Sequence, residues 1–257
     1  MNKNPFTLKD KVAIVTGGGT GIGAAISEAL ALSGAHVTIC SRSEEHLGST
    51  AKRIEELGRQ SLAIPCDVRK EAEVENVVAR TVEKFGKLDI MVNNAGASFV
   101  CPVEDISVNG WNSIFGINVT GLFLFSKIAC REIKKQKSGS IINISSIAGR
   151  DSAPMMAPYG AAKAAVINLT RALAVEFSQY NIRVNGIGPG MIITEAAQKQ
   201  MGVTPESTKE RFASLPLGRW GNPEEIAWPV VFLASEASSY MTGETIYIDG
   251  GPRAFET

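Results

Sequence analysis

The sequence predicts an α/β protein, a single domain built on one parallel, doubly wound sheet with helices on both faces. Short β-branched runs alternate with amphipathic stretches from the first residues onward, the pattern of repeated β-α units. A glycine cluster, "TGGGTGIG", joins the first of these runs directly to a helical stretch. With 257 residues, 44% of them hydrophobic, the chain can bury a sizeable core and needs no second domain.

Seven strands are expected, in the order "KVAIVTG", "HVTICS", "LAIPCDV", "LDIMVNNAG", "SIINISS", "IRVNGIGPG" and "ETIYIDGG". Between the third and fourth, Val74, Val77, Val78, Thr81, Val82 and Phe85 recur at helical spacing, while Glu73, Glu75, Arg80 and Lys84 take the other face. One long helical pattern over 110–136 precedes the fifth strand, and another begins at Tyr159. "NPEEIAWPVVFLAS" opens on an Asn-Pro helix start. No repeat, linker or low-complexity tract interrupts the series, and an open sheet of this kind binds ligands outside the carboxyl ends of its strands.

Composition narrows the function. Lys plus Arg equals Asp plus Glu at 26 each, and the isoelectric point near 6.8 argues against nucleic acid or an anionic membrane as a partner. The start of the chain lacks a long apolar segment, and no later run of about 18 apolar residues is evident, so a soluble protein is expected. Cys40, Cys66, Cys101 and Cys130 lie far apart, with only His36 and His46 beside them. That pattern points to reduced thiols in a cytoplasm and to no metal site.

The glycine cluster is the first candidate site. Glycine permits positive φ and lets backbone N–H groups approach a phosphate at the positive end of a helix. Gly17, Gly19, Thr20, Gly21, Ile22 and Gly23 are therefore expected to hold the pyrophosphate of a dinucleotide. The end of the second strand selects which one. A carboxylate there suits the ribose hydroxyls of NAD, whereas a 2′-phosphate needs a cation. Here stand Ser41, Arg42 and Ser43, with no carboxylate before Glu44, so NADP is preferred and NAD is the alternative. Asp67 and Val68 end the third strand, where the carboxylate meets the adenine amino group or serves only the turn.

"YGAAK" places Tyr159 and Lys163 one helical turn apart on one face. For a phenol that titrates near about 10 to work near pH 7, its phenolate must be stabilised by about 4 kcal/mol. An ammonium about 4 Å away, at an effective dielectric near 20, supplies about that much. Ser145 and Ser146 end the fifth strand, where a hydroxyl can hold a carbonyl while Tyr159 gives it a proton.

Taken in order, these motifs resemble the short-chain dehydrogenase/reductase family over nearly the whole chain, from "KVAIVTGGGTGIG" through "NNAG", "SS" and "YGAAK" to "GPGMIIT" and "TGETIYIDGG". Its T-G-x-x-x-G-x-G pattern falls on Thr16, Gly17, Gly21 and Gly23. The resemblance implies a Rossmann-type fold, with the cofactor bound mainly by 10–120 and the catalytic and substrate part in 121–257. It implies a tetrad of Asn118, Ser146, Tyr159 and Lys163, with Ser146 chosen over Ser145 by its spacing to the tyrosine. Asn118 would bend the long helix and hold a water that relays protons from Lys163. Asn94, Ala95 and Gly96 would line the adenosine side, and Lys163 would also hold the nicotinamide ribose. Pro189, Gly190, Ile192 and Thr194 would flank the nicotinamide ring, carboxamide and pyrophosphate. Hydride would then pass between the nicotinamide and a carbonyl carbon, with Tyr159 protonating the oxygen. Many NADP-preferring members carry a base inside the glycine loop, which Gly18, Gly19 and Thr20 do not supply.

The family's substrate lid corresponds to 194–217. Phe99, Val100, Met155, Met156, Met191 and Met201 lie where pocket walls are expected, with Met156 and Met191 the named candidates for a small-molecule carbonyl or alcohol. Lys199, Lys209 and Arg211 could meet an acyl-carrier or coenzyme A phosphate. The two long helices carry more apolar residues than one sheet face needs, and in the family such helices pair, so a homotetramer is expected. The leading expectation is an NADPH-dependent ketone or 3-oxoacyl reductase. NAD-linked alcohol, sugar or hydroxysteroid oxidation, enoyl-thioester reduction and dinucleotide sensing without turnover are the alternatives. Enoyl reductases of the family often alter the tyrosine motif, and sensors lose the tyrosine or lysine; here both are intact.

Overall fold

The computed structural model describes residues 4–202 and 215–251. Seven parallel strands form one sheet in the order β3-β2-β1-β4-β5-β6-β7. They are β1 (Val12–Thr16), β2 (His36–Ser41), β3 (Ser61–Pro65), β4 (Ile90–Asn93), β5 (Gly139–Ile144), β6 (Ile182–Pro189) and β7 (Thr245–Ile248). The order reverses between β1 and β4, which opens a crevice at their carboxyl ends. The third strand is shorter than the sequence pattern suggests. Cys66, Asp67 and Val68 leave the strand and turn along the crevice, which they line while Cys66 and Val68 stay buried in the core.

Strand alternation divides the core in two. Ala13, Val15, Val37, Ile39, Val92 and Ile142 face α1 (Gly21–Leu32), α2 (Glu45–Glu56) and α8 (Pro223–Ala234). Ile14, Cys40, Ile64, Met91, Ile141 and Val184 face α3 (Glu71–Phe85), α5 (Gly121–Ile133) and α6 (Ala157–Ser178). The helical stripe expected over α3 is observed: Val74, Val77, Val78 and Thr81 are buried, and Gly86 ends the helix at φ 78°. Asn222 starts α8 in a capping box with Glu225, with Pro223 in the first turn, as the Asn-Pro start implies.

A polar network fastens the central strands to the helices behind them. Asn93 Nδ2 donates to Asn143 Oδ1 at 2.8 Å and to Ser126 Oγ at 3.0 Å, and Asn143 Nδ2 donates to Thr170 Oγ1 at 2.9 Å. These four residues are buried, so the bonds specify how α5 and α6 sit on β4 and β5. That placement matters, because α6 carries Tyr159 and Lys163.

The long helix expected over 110–136 is not continuous. It is α4 (Val108–Phe115) and α5 joined by a π-helical turn, Gly116–Thr120. Asn118 lies in that turn and donates through Nδ2 to Ile114 O at 2.9 Å and to Ala97 O at 2.8 Å, diverting backbone acceptors from a regular helix. Val68 packs against Gly121 and Arg69 against Gly116, one at each end of the turn. The bend expected at Asn118 is therefore a widened turn.

By length and composition the stretch Val108–Gln136 is apolar enough to cross a membrane, with mean hydropathy 1.5 in its most apolar window, which counting uninterrupted apolar residues missed. More than half of that window, 56%, is buried within the protein, as for a core helix. Trp111 and Phe123 on the same stretch remain exposed.

Candidate active site

The carboxyl ends of the strands surround a cavity of about 610 Å³. Its walls hold Gly17, Thr20, Gly21, Ile22 and Gly23 after β1; Ser41, Arg42 and Ser43 after β2; Asp67 and Val68 after β3; Asn94, Ala95 and Gly96 after β4; and Thr194 beyond β6. Of the glycine-loop residues singled out from sequence, Gly19 alone is outside the wall. A side chain on Gly19 would collide with the backbone of His46, so this glycine admits α2 rather than a ligand. Pro189, Gly190 and Ile192 also stand outside the wall. Pro189 ends β6, a side chain on Gly190 would meet Asp249, and Ile192 is buried and bridges to Gly221.

The loop fits a pyrophosphate on its own geometry. Gly17 and Gly21 have φ of 64° and 51°, and a side chain on Gly23 would strike the Gly17 carbonyl. Thr20 makes no side-chain cap and α1 has no acidic residue in its first turn, so the first N–H groups of that helix stay available to an anion. Thr16 Oγ1 accepts from the N–H groups of Asn94 and Ala95, both at 2.9 Å, and Asn94 Nδ2 donates to Thr16 O at 2.9 Å. The loops after β1 and β4 are thereby locked together.

At the adenosine end, Ser41 Oγ donates to Ser43 O at 2.8 Å, shaping the turn that presents Arg42. Arg42 is exposed, and its guanidinium makes no hydrogen bond or salt bridge to a described residue. Asp67 is not free in the same way. Arg69 grips its carboxylate through Nε at 2.9 Å and Nη2 at 2.6 Å, which holds the carboxyl down at about 2. Adenine would therefore meet a carboxylate already shared with Arg69. His46 and Cys66 also line the cavity; only the fold brings them there, and the sequence holds no motif signal for either.

Ser146, Tyr159 and Lys163 come together at the end of β5. The Ser146 hydroxyl neighbours the Tyr159 phenol closely enough to favour its phenolate, and Ser146 Oγ accepts from Ala148 N at 3.1 Å. Ser145 points elsewhere: its hydroxyl donates to Lys163 O at 3.0 Å and pins α6 to the strand end. Of the two serines, Ser146 is therefore the one on the phenol side. Lys163 is only 3% exposed, and its Nζ donates to Ile144 O at 2.9 Å, 5.6 Å from the centre of the Tyr159 ring.

One expectation fails in this arrangement. The ammonium was expected to acidify the phenol, but desolvation pushes the Tyr159 phenol above 10, and only the Ser146 hydroxyl pulls it back. Lys163 is spent on the Ile144 carbonyl, and burial pulls its own pKa down from 10.5 to about 8. Asn118 Oδ1 is buried with no hydrogen-bond partner among the described residues. It points at Gly96, whose missing Cβ would lie 2.9 Å from it and 3.5 Å from Lys163 Nζ. Gly96 thus leaves polar space open between Asn118 and Lys163, which suits a bridging water.

Of the residues expected to meet substrate, Met156 and Met191 are half-buried and neither lines the cofactor cavity. Met156 O accepts from Tyr159 N at 3.0 Å at the start of α6, and Met191 packs against Trp220. Val100 and Met155 are exposed, and Met155 is held at φ 64°. The lid expected over 194–217 is described only in part. Lys209, Arg211 and the side chain of Met201 lie outside the described residues.

A crevice shaped for a dinucleotide beside a Ser-Tyr-Lys cluster is the arrangement of a dinucleotide-dependent oxidoreductase. The enoyl-(acyl carrier protein) reductase family model matches residues 17–252. The peroxisomal 2,4-dienoyl-CoA reductase of Danio rerio is 39% identical, over 98% of this chain and 86% of that protein. The 3-oxoacyl-[acyl-carrier-protein] reductase of Thermotoga maritima is 38% identical, over 95% of this chain and 98% of its own. Among solved structures, a 7α-hydroxysteroid dehydrogenase complexed with NADH and 7-oxo glycochenodeoxycholic acid superposes with a TM-score of 0.93 at 34% identity, covering 98% of each chain. The chain belongs to the short-chain dehydrogenase/reductase family of oxidoreductases.

The buried ammonium makes a testable prediction. Below about pH 8 Lys163 is charged in both folded and unfolded chains, and the full cost of burying it is felt. Between about 8 and 10.5 the folded chain releases a proton the unfolded chain still binds, so that cost fades. Relative to Lys163→Met, the wild type should gain on the order of 3 kcal/mol of stability across this window. Denaturant unfolding of both proteins between pH 7 and 11 measures it, and a difference that does not change with pH contradicts the burial.

Proposed function

We propose that the chain is an NADP(H)-dependent oxidoreductase that interconverts a ketone, a 3-oxoacyl group or another hydrophobic carbonyl, with a secondary alcohol. The observation that carries this reading is the Tyr159 phenol, next to the Ser146 hydroxyl and with its ring over the Lys163 ammonium beside the dinucleotide cavity. When bound, the nicotinamide supplies the hydride. Ser146 and Tyr159 would both hold the carbonyl oxygen, and the phenol would pass its proton to that oxygen as the alcohol forms. A phenol whose pKa is raised is fully protonated at neutral pH, which suits a proton donor and so favours reduction. The reverse reaction needs the phenolate and is favoured at alkaline pH. Asn118 and Gly96 leave the space through which Lys163 could return a proton.

The relatives named for dienoyl-CoA and enoyl reduction motivate a second reading, delivery of hydride to a carbon–carbon double bond in a thioester. The intact Ser146–Tyr159 pair argues for the carbonyl, because two neighbouring hydroxyls could both bond one carbonyl oxygen.

For the cofactor, Arg42 supports NADP: an exposed guanidinium that makes no hydrogen bond or salt bridge to a described residue stands after β2, next to Ser41 and Ser43, where a 2′-phosphate would lie. NAD, as in the hydroxysteroid dehydrogenase structure, is the alternative. Two apolar faces support a homotetramer. Trp111, Phe123 and Val175 are exposed on the α4–α6 side, and Trp228 and Tyr240 on or beside α8. Two separate faces, each pairing with its own copy, would give a closed assembly of four.

A panel of ketones, 3-oxoacyl thioesters, enoyl and dienoyl thioesters and alcohols, followed at the reduced-nicotinamide absorbance with both cofactors, tests the activity. Turnover confined to the enoyl and dienoyl thioesters would overturn the carbonyl reading. Arg42→Ala should raise the KM for NADPH by about tenfold or more while changing that for NADH little. Equal effects on the two cofactors would remove the argument for NADP. Light scattering should give about four times the 27.4 kDa chain mass, and a monomer at micromolar concentration would contradict the tetramer.

A further inference from the structure

The charges on the dinucleotide cavity are unevenly placed. Among the described residues its lining carboxylates, guanidinium and ammonium are Asp67, Glu195, Arg42 and Lys199, with the imidazole of His46 beside them. Asp67 is already matched by Arg69. Arg42 belongs to the adenosine end, after β2. The glycine loop itself carries no base, yet a diphosphate seated on it would bring a negative charge on each phosphate. Backbone N–H groups meet part of that charge, and among the described residues one ammonium, that of Lys199, lines the same cavity.

That cation is on α7 (Glu195–Met201). Thr194 caps this helix, its Oγ1 accepting from Ala197 N at 3.1 Å. The methyl of the same threonine lies 3.2 Å from where a Cβ on Gly21 would stand, so the start of α7 rests against the first residue of α1. Lys199 is five residues further on, about 1.5 Å of rise per residue, and its side chain returns to the cavity wall. Glu195 is one turn away at a spacing that pairs well in helices, yet Lys199 makes no salt bridge or hydrogen bond to a described residue. An exposed ammonium with no partner among the described residues, on the wall of a phosphate cradle, is a flexible point charge suited to phosphate oxygens.

We propose that Lys199 is a cofactor-binding residue whose ammonium engages the pyrophosphate of the bound dinucleotide, supplying the charge the glycine loop lacks. The proposal rests on the reading of the cavity as a dinucleotide site. It assigns Lys199 to the cofactor and away from the acyl-carrier or coenzyme A phosphate expected from sequence. The pyrophosphate is common to NADPH and NADH, so Lys199 serves both equally, whereas Arg42 discriminates between them.

The test is titration of wild type, Lys199→Gln, Lys199→Arg and Arg42→Gln with NADPH and with NADH, read by nicotinamide fluorescence at low and high salt, alongside carbonyl KM at saturating cofactor. Lys199→Gln should weaken both cofactors by about three- to tenfold at low salt, with the loss shrinking at high salt. Lys199→Arg should restore most of the binding, and the carbonyl KM should stay within about twofold of wild type. Unchanged affinities for both cofactors in a folded Lys199→Gln overturn the proposal. A loss confined to NADPH also overturns it, by moving Lys199 to the 2′-phosphate, and a change confined to the carbonyl KM moves it to the substrate. Failure of the wild type to bind either dinucleotide would instead overturn the underlying reading of the cavity.

Discussion

An ammonium buried at the end of a parallel sheet is the constraint around which the rest of this protein is arranged. Lys163 is almost wholly shielded from water, and its charge is met by one backbone carbonyl, that of Ile144. Such a group is costly, and it persists only if the surrounding structure fixes it. Ser145 does so from the strand end by bonding the Lys163 carbonyl, and the Asn93–Asn143–Thr170 network does so from within the core. The same fixing sets Tyr159 one turn earlier on α6, next to Ser146. A stabilising network has thus been used to hold a destabilising group where chemistry needs it.

Topology explains why the pieces meet. All seven strands run parallel, so every loop at their carboxyl ends opens on one edge, and the reversal between β1 and β4 parts those loops into a crevice. Thr16 and Asn94 lock the two loops at the reversal. The π-helical turn then places Asn118 beneath Gly96, with its carbonyl oxygen aimed into space beside Lys163. Phosphate cradle, phenol and relay space are consequences of one edge.

Much of this was legible before the fold was known. The seven strands and the α3 stripe follow from periodicity, and the glycine loop, the Ser-Tyr-Lys set and the adenosine-side residues follow from local patterns that the parallel sheet brings to one place. What escaped the sequence depended on contacts between distant segments. Gly19 matches a phosphate-loop pattern but is needed for the approach of His46, forty-odd positions into the chain and on another helix. Asp67 has the right strand-end position, yet Arg69 two residues later claims its carboxylate. The electrostatics of Tyr159 and Lys163 reversed for the same reason. Helical spacing gives their proximity, but whether the ammonium acidifies the phenol depends on burial and on the Ile144 carbonyl, which no spacing reveals.

The central claim is that the Tyr159 phenol exchanges the proton in each turnover and is protonated at neutral pH. Its most direct test is the pH dependence of kcat/KM in both directions for wild type and Tyr159→Phe. Reduction should hold through neutral pH and fall on the alkaline side, oxidation should rise there, and the phenylalanine variant should lose about 10² to 10⁴ in both directions. A variant that keeps turnover within about tenfold of wild type, with the same pH profiles, would contradict the account.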